Sequence, residues 1–279
     1  MSIPSHFAGL VDDAAVFPPG LAPLPDAVVA HAAHLRSDHR ALVGPFIVSA
    51  QDLATLAELA TPDLFPEGIR VSVVLPSPDE LSGVLDLVRT GPLVLAGLEV
   101  KLGPGPLTPQ VDVIAAHDRG TSPAYVEAPR PGHPEWTGVL DAAAASDLRL
   151  KFRTGGTEAA AFPDEDEVAS WIHGAVRSAV PFKCTAGLHN AVRHTGADTG
   201  FEHHGYLNIL LATAAAQDGA SVHGLVPILG ERDGRVLADR LAACPAAALR
   251  RARQGFLSYG SCSIDEPLAD LAALGLITA

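Results

Sequence analysis

The sequence predicts a single (β/α)8 barrel, and three observations carry that prediction. Eight short apolar, β-rich runs recur along the chain. Each is separated from the next by a stretch of helical spacing with Gly or Pro punctuation. The chain, 279 residues long and 48% hydrophobic, is large enough to bury one barrel-sized core. A doubly wound open sheet is the competing arrangement, but no Gly-x-Gly-x-x-Gly turn follows an early strand. The chain therefore reads as one domain over 1–279, its first stretch, about 1–40, forming an N-terminal extension.

In order, strands are expected near 43–49 (VGPFIVS), 70–75 (RVSVVL), 94–101 (VLAGLEVK) and 124–128 (AYVEA). They continue near 148–153 (LRLKFR), 180–185 (VPFKCT), 222–228 (VHGLVPI) and 255–260 (GFLSYG). Helical spacing fills the gaps at 51–60, 78–90, 108–118, 135–146, 164–178, 205–218 and 235–253. Further helices are expected at 25–39, before the first strand, and at 264–274, where "SIDE" makes a capping box.

Charge on the strands is what points to function. The chain has only three lysines, Lys101, Lys151 and Lys183, and all three lie in apolar, strand-like stretches instead of on exposed helix faces. Alternate residues of a barrel strand face inward, so parity tells where each charge points. With Leu148, Leu150 and Phe152 facing the helix layer, Lys151 and Arg153 point inward. By the same rule Glu99 and Lys101, Glu127, and Lys183 point inward from three other strands. Six charges would converge near the C-terminal ends of four consecutive strands, where such barrels carry their active sites. A lysine among other cations has its charged form disfavoured, which frees the amine as a nucleophile toward carbonyls. Lys183 is the expected nucleophile and Lys151 its neighbour. Glu127 or Glu99 would serve as acid and base, while Lys101 and Arg153 suit a carboxylate or phosphate.

The stretch "FKCTAG" resembles the strand-borne lysine motif, Lys followed by Thr or Ser and then Gly, of deoxyribose-phosphate aldolase and other class I barrel aldolases. The resemblance implies Schiff-base carbon–carbon cleavage or a related lyase reaction with no cofactor. The second lysine motif, "LKFRTGG", precedes the sixth strand instead of lying on the seventh, which departs from the aldolase pattern. Together, "KFRTGG", "FKCTAGLHNAVRH", "HGYLN" and "YGSCSIDEPL" are also similar to a bacterial family whose function is not settled.

After the sixth strand, about twenty residues precede the next helix, a length typical of a lid or binding loop. It carries His189, Asn190, Arg193, His194, His203 and His204. His189 or His194 could do acid–base work over the lysines, with Asn190 and Arg193 binding substrate. A metal-dependent hydrolase or isomerase is the alternative, two loop histidines joining a carboxylate such as Asp12, Asp13 or Glu202. The spacing matches no metal motif, so no metal is assigned. Ser261, in the turn "YGSCS", is a candidate anion contact. Cys262 lacks an evident base and reads as a small hydrophobe.

A net charge of −13 and a pI near 5.2, with no basic run, argue against a nucleic-acid partner. The absence of a long apolar window argues against a membrane one, and the N-terminus lacks a signal-peptide pattern, so a cytoplasmic location is expected. The expected partner is a small anionic metabolite. A non-catalytic binder of an acidic metabolite fits the same charge pattern.

Overall fold

The computed structural model describes residues 3–89, 91–197 and 199–277. Eight parallel strands close into a barrel. They are β1 (Val11–Asp13), β2 (Val43–Ser49), β3 (Ile69–Leu75), β4 (Leu93–Val100), β5 (Ala124–Glu127), β6 (Arg149–Arg153), β7 (Phe182–Thr185) and β8 (Phe256–Ser261). β1 pairs with both β2 and β8 and so closes the ring. The expected (β/α)8 fold is thus the observed one.

Seven of the expected strands are present, and the eighth is elsewhere. The run at 222–228 is a helix, Val222–Leu229, and His223 lies on it. Its apolar residues are helically spaced: Leu225 and Leu229 bury one face, and the Ser221 side chain caps the first turn by accepting from Gly224 N–H. A continuous short apolar run does not separate strand from helix, and here the cap and the four-residue spacing decide. The missing strand is β1, three residues with two aspartates, too short and too charged to stand out as an apolar run. The N-terminal stretch is therefore a piece of the barrel wall, followed by helix α1 (Leu24–Arg36).

The other helices are α2 (Leu53–Leu59), α3 (Leu81–Val88), α4 (Leu107–Ala116), α5 (Trp136–Ala145), α6 (Glu165–Arg177), α7 (Tyr206–Gln217), α8 (Val222–Leu229), α9 (Gly234–Ala243), α10 (Ala246–Gly255) and α11 (Asp265–Ala273). The expected helix over 235–253 is two helices, divided at Cys244 and Pro245, because proline cannot continue a helix through its own nitrogen. Helix α7 is buried on nearly every face, enclosed by α6, α8 and α10. Between strands and helices lies the apolar core. Phe152 stacks on Trp171 with ring centroids 5.0 Å apart, and Tyr259 stacks on Tyr206 at 5.1 Å. Among the described residues no helix is long and apolar enough to cross a membrane.

Candidate active site

Polar side chains from β1, β3, β4, β5, β6, β7 and β8 meet inside the barrel. Register fixes their level: Glu127 pairs with Lys151, and Lys151 with Lys183, so three charges stand side by side across β5, β6 and β7. Glu99 reaches them from β4 and Asp12 from β1. Asp12, Glu99, Lys151 and Lys183 are all buried. Parity thus placed Glu99, Glu127, Lys151 and Lys183 correctly, and β1 splits its aspartates the same way. Asp12 points inward to Lys183, whereas Asp13 points to the helix layer and contacts His31 Nδ1 at 2.9 Å.

These residues form one alternating chain. Lys183 Nζ donates to Asp12 Oδ2 at 2.6 Å and to Glu99 Oε1 at 2.5 Å. The other oxygen of Glu99 lies 3.5 Å from Lys151 Nζ, which in turn lies 2.9 Å from Glu127 Oε2. Ser72 Oγ donates to Glu99 and Ser258 Oγ to Asp12, each at 2.7 Å. Below them the Tyr125 ring lies 5.5 Å from Lys183 Nζ, and its hydroxyl accepts from Arg149. Asp12, Ser72, Ser258 and Tyr125 are members that strand parity would have found, had β1 been recognised and polar residues been counted with charged ones.

The environment of Lys183 reverses one expectation. Burial works against its charge, but Asp12 and Glu99 outweigh burial and hold the amine above the ordinary lysine range, as an ammonium. The expected neighbouring cations are there, yet carboxylates lie closer. Glu99 is the converse: burial would raise its carboxyl, but the two lysines bring it down to about 2. For Asp12 burial prevails over the pull of Lys183 and the carboxyl is raised. Its Oδ1 has no hydrogen-bond partner among the described residues. Glu127 is brought below its usual value when Lys151, Lys101 and Arg153 together outweigh burial.

Glu127 is also where the chain meets the mouth. Its side chain keeps 17% exposure, against 2% for Lys151, and it feels the charges of Lys101, which is exposed, and Arg153, which is half-buried. Neither Lys101 nor Arg153 has a side-chain hydrogen bond or close ion pair among the described residues. The mouth is shaped by two turns packed face to face. A Cβ on Gly155 would stand 2.8 Å from Gly187 Cα, and one on Gly187 would stand 2.9 Å from Thr154 O. Ala186 and Gly187 both have positive φ, and Thr154 Oγ1 donates to Ala186 O at 2.7 Å, which ties the ends of β6 and β7 together.

The loop over 186–205 is held by its own contacts and by residues in and around α6 and α11. Arg193 is buried and pairs with Glu165 and Glu202, and His204 donates to Pro163 O; burial, then Arg193, lowers His204 to about 4. His194 and His203 face each other across a two-residue hairpin, their rings stacked at 5.1 Å. His203 donates to Gly187 O at the barrel mouth, and His194 to Val192 O. His189 contacts Glu266 at 3.0 Å and Cys262 Sγ at 3.7 Å, so Cys262 does have a neighbouring imidazole, though burial raises its thiol. Asn190 donates to Asp270, and Ser261 donates to Ser263 O. Among the described residues, His189, His194, Asn190, Arg193 and Ser261 make no hydrogen bond or ion pair with the lysine–carboxylate chain, and the loop histidines form no metal-ligating group.

The arrangement can hold an anion above Glu127, present an amine beneath it and move protons between amine and carboxylate. No protein-family model matches the sequence, and no curated protein matches it significantly.

Proposed function

We propose that the protein is an enzyme of the lyase class that cleaves or forms a carbon–carbon bond in a small anionic carbonyl compound through a lysine Schiff base. One observation carries the reading: two lysines and three carboxylates alternate inside the barrel, and the chain ends at Glu127 beneath Lys101 and Arg153. The similarity of "FKCTAG" to the aldolase lysine motif supports a Schiff-base reaction in this barrel, although the lysine of that motif is Lys183 and not Lys151.

Lys151 is the better nucleophile of the two. Lys183 is committed to two short contacts that favour its ammonium form, whereas Lys151 has one close partner, and that partner reaches the mouth. Glu127 takes a proton from the Lys151 ammonium, and the amine adds to the substrate carbonyl carbon. The alkoxide so formed takes a proton from the added nitrogen, and Glu127 returns its own proton to the resulting hydroxyl, which leaves as water and gives an iminium ion. Glu127, again a carboxylate, removes the proton of the β-hydroxyl; the adjacent C–C bond breaks, its electron pair entering the iminium to give an enamine, and the hydroxyl carbon leaves as a carbonyl. Protonation on carbon and hydrolysis restore the lysine. Lys183 and Glu99 keep the site's charges fixed throughout, and Lys101 and Arg153 hold the substrate anion.

Borohydride reduction in the presence of small hydroxy-aldehydes, keto acids and their phosphates, followed by peptide mapping, tests the reading. An adduct on Lys151 is expected. An adduct on Lys183 would exchange the two lysines' roles. No adduct on either, across the panel, removes the mechanism.

A further inference from the structure

Where α1 ends, two histidines meet on the helix layer. His34 lies in the last turn and His39 five residues on, and His34 Nδ1 stands 3.2 Å from His39 Nε2. An oxygen of Asp265, in the first turn of α11, completes a group whose ligand atoms all lie within 4.8 Å of one another. Two imidazole nitrogens facing each other at this distance share either a proton or an ion. In a tetrahedral zinc site with bonds of roughly 2.0–2.1 Å, neighbouring ligand atoms stand about 3.3 Å apart, so the histidine pair is already spaced as ligands. Asp265 is exposed and free to swing the small remaining distance.

The turn carrying both histidines is braced. Ser37 Oγ donates to His34 O at 2.6 Å and accepts from His39 N–H at 3.3 Å, so two ligands rest on a fixed backbone.

The geometry points to a site for one divalent transition ion of the zinc class, held by His34, His39 and Asp265 with a fourth position for water. Binding displaces the proton between the rings. The site's role is structural. His34 and His39 lie between β1 and β2, Asp265 follows β8, and β1–β8 is the pairing that closes the barrel through a strand of three residues. An ion here ties the two ends of the chain across that seam. The inference does not depend on the lyase reading.

The full chain, stripped with a chelator, is given Zn2+ or Co2+. One equivalent of either is expected, with the intense visible absorption of tetrahedral Co2+ and a rise in Tm when Zn2+ is in excess. His34→Ala and His39→Ala should each abolish both signals, while His194→Ala with His203→Ala keeps them. Failure of the unaltered protein to take up an ion overturns the site, as does uptake that survives both His34→Ala and His39→Ala. Should those variants fold poorly, anomalous scattering from a Zn2+-soaked crystal of the unaltered protein decides: a peak between His34 and His39 supports the site, and peaks only elsewhere overturn it.

Discussion

Glu99 stands between Lys183 and Lys151, one carboxylate oxygen 2.5 Å from the first amine and the other 3.5 Å from the second. Removing one member of such a buried network leaves its partners charged and unpaired, which costs more than the pair contributes. Lys183→Met is therefore expected to lower unfolding free energy by about 3–5 kcal/mol, since Asp12 loses its cation and Glu99 keeps only the more distant Lys151. Ser72→Ala removes one hydrogen bond to the same carboxylate and should cost only about 1.5–3 kcal/mol. Urea denaturation of the two variants checks the order.

Acid should undo the network in a defined window. The Glu99 carboxyl is held at about 2 against an ordinary 4.5, so its folded value is the lower one. Its stabilisation is then fully present above about 4.5 and lost as pH falls toward 2, on the order of 3 kcal/mol in all. Asp12 acts with the opposite sign: its raised carboxyl costs stability as pH climbs from its ordinary value through the folded one. Glu99→Gln should flatten the acid limb of the stability curve, and Asp12→Asn should leave that limb in place. Unfolding free energies at pH 3 and pH 6 distinguish them.

Gly44 explains how Asp12 fits. A Cβ at this position would stand 2.2 Å from Asp12 Oδ1 and 3.2 Å from Val11 O, so the first two strands can approach only across a glycine. Gly44→Ala should destabilise by about 1–3 kcal/mol through overpacking and disturb Asp12 with it. Gly83→Ala, inside α3 with nothing within 4 Å, should instead stabilise by about 0.5–1 kcal/mol. Thermal melts of both give the contrast.

What the sequence revealed and what it concealed have the same cause. Period-two alternation is a strong signal wherever a strand is long enough to show it, which is why Glu99, Glu127, Lys151 and Lys183 were legible as inward charges. β1 offers three residues and no alternation, so Asp12 could be named only as one carboxylate able to join the loop histidines and not as an inward charge of the barrel. At 222–228 a β-branched, apolar run hid a helix that Ser221 caps. The state of Lys183 lay beyond any one-strand reading: it depends on Asp12, 171 residues away in sequence, and Glu99, 84 away. The loop histidines were legible as residues but not as partners, because their contacts come from Pro163 just ahead of α6, from α11 and from the loop's own backbone.

The mouth cations give the most direct test of substrate class. Arg153 and Lys101 both act on Glu127, and neither spends its donors on a side-chain hydrogen bond among the described residues. If they hold the anion of the substrate, each contributes to binding more than to the chemical step, which belongs to Lys151 and Glu127. Once the trapping panel has identified a substrate, Arg153→Leu should raise KM by about tenfold or more, the loss of one charge-assisted contact, with kcat changed far less. Arg153→Lys should recover only part of the loss, because an ammonium keeps the charge but not the planar fork that grips a carboxylate or phosphate on two oxygens. Lys101→Met, at the exposed edge of the mouth, should have a smaller effect that fades at high salt, where exposed charges are screened. Steady-state kinetics of the three variants at low and high ionic strength carry the test. Equal loss of kcat in Arg153→Leu and Lys151→Met, with KM unmoved, would place Arg153 in the chemical step and leave the anion without its assigned site.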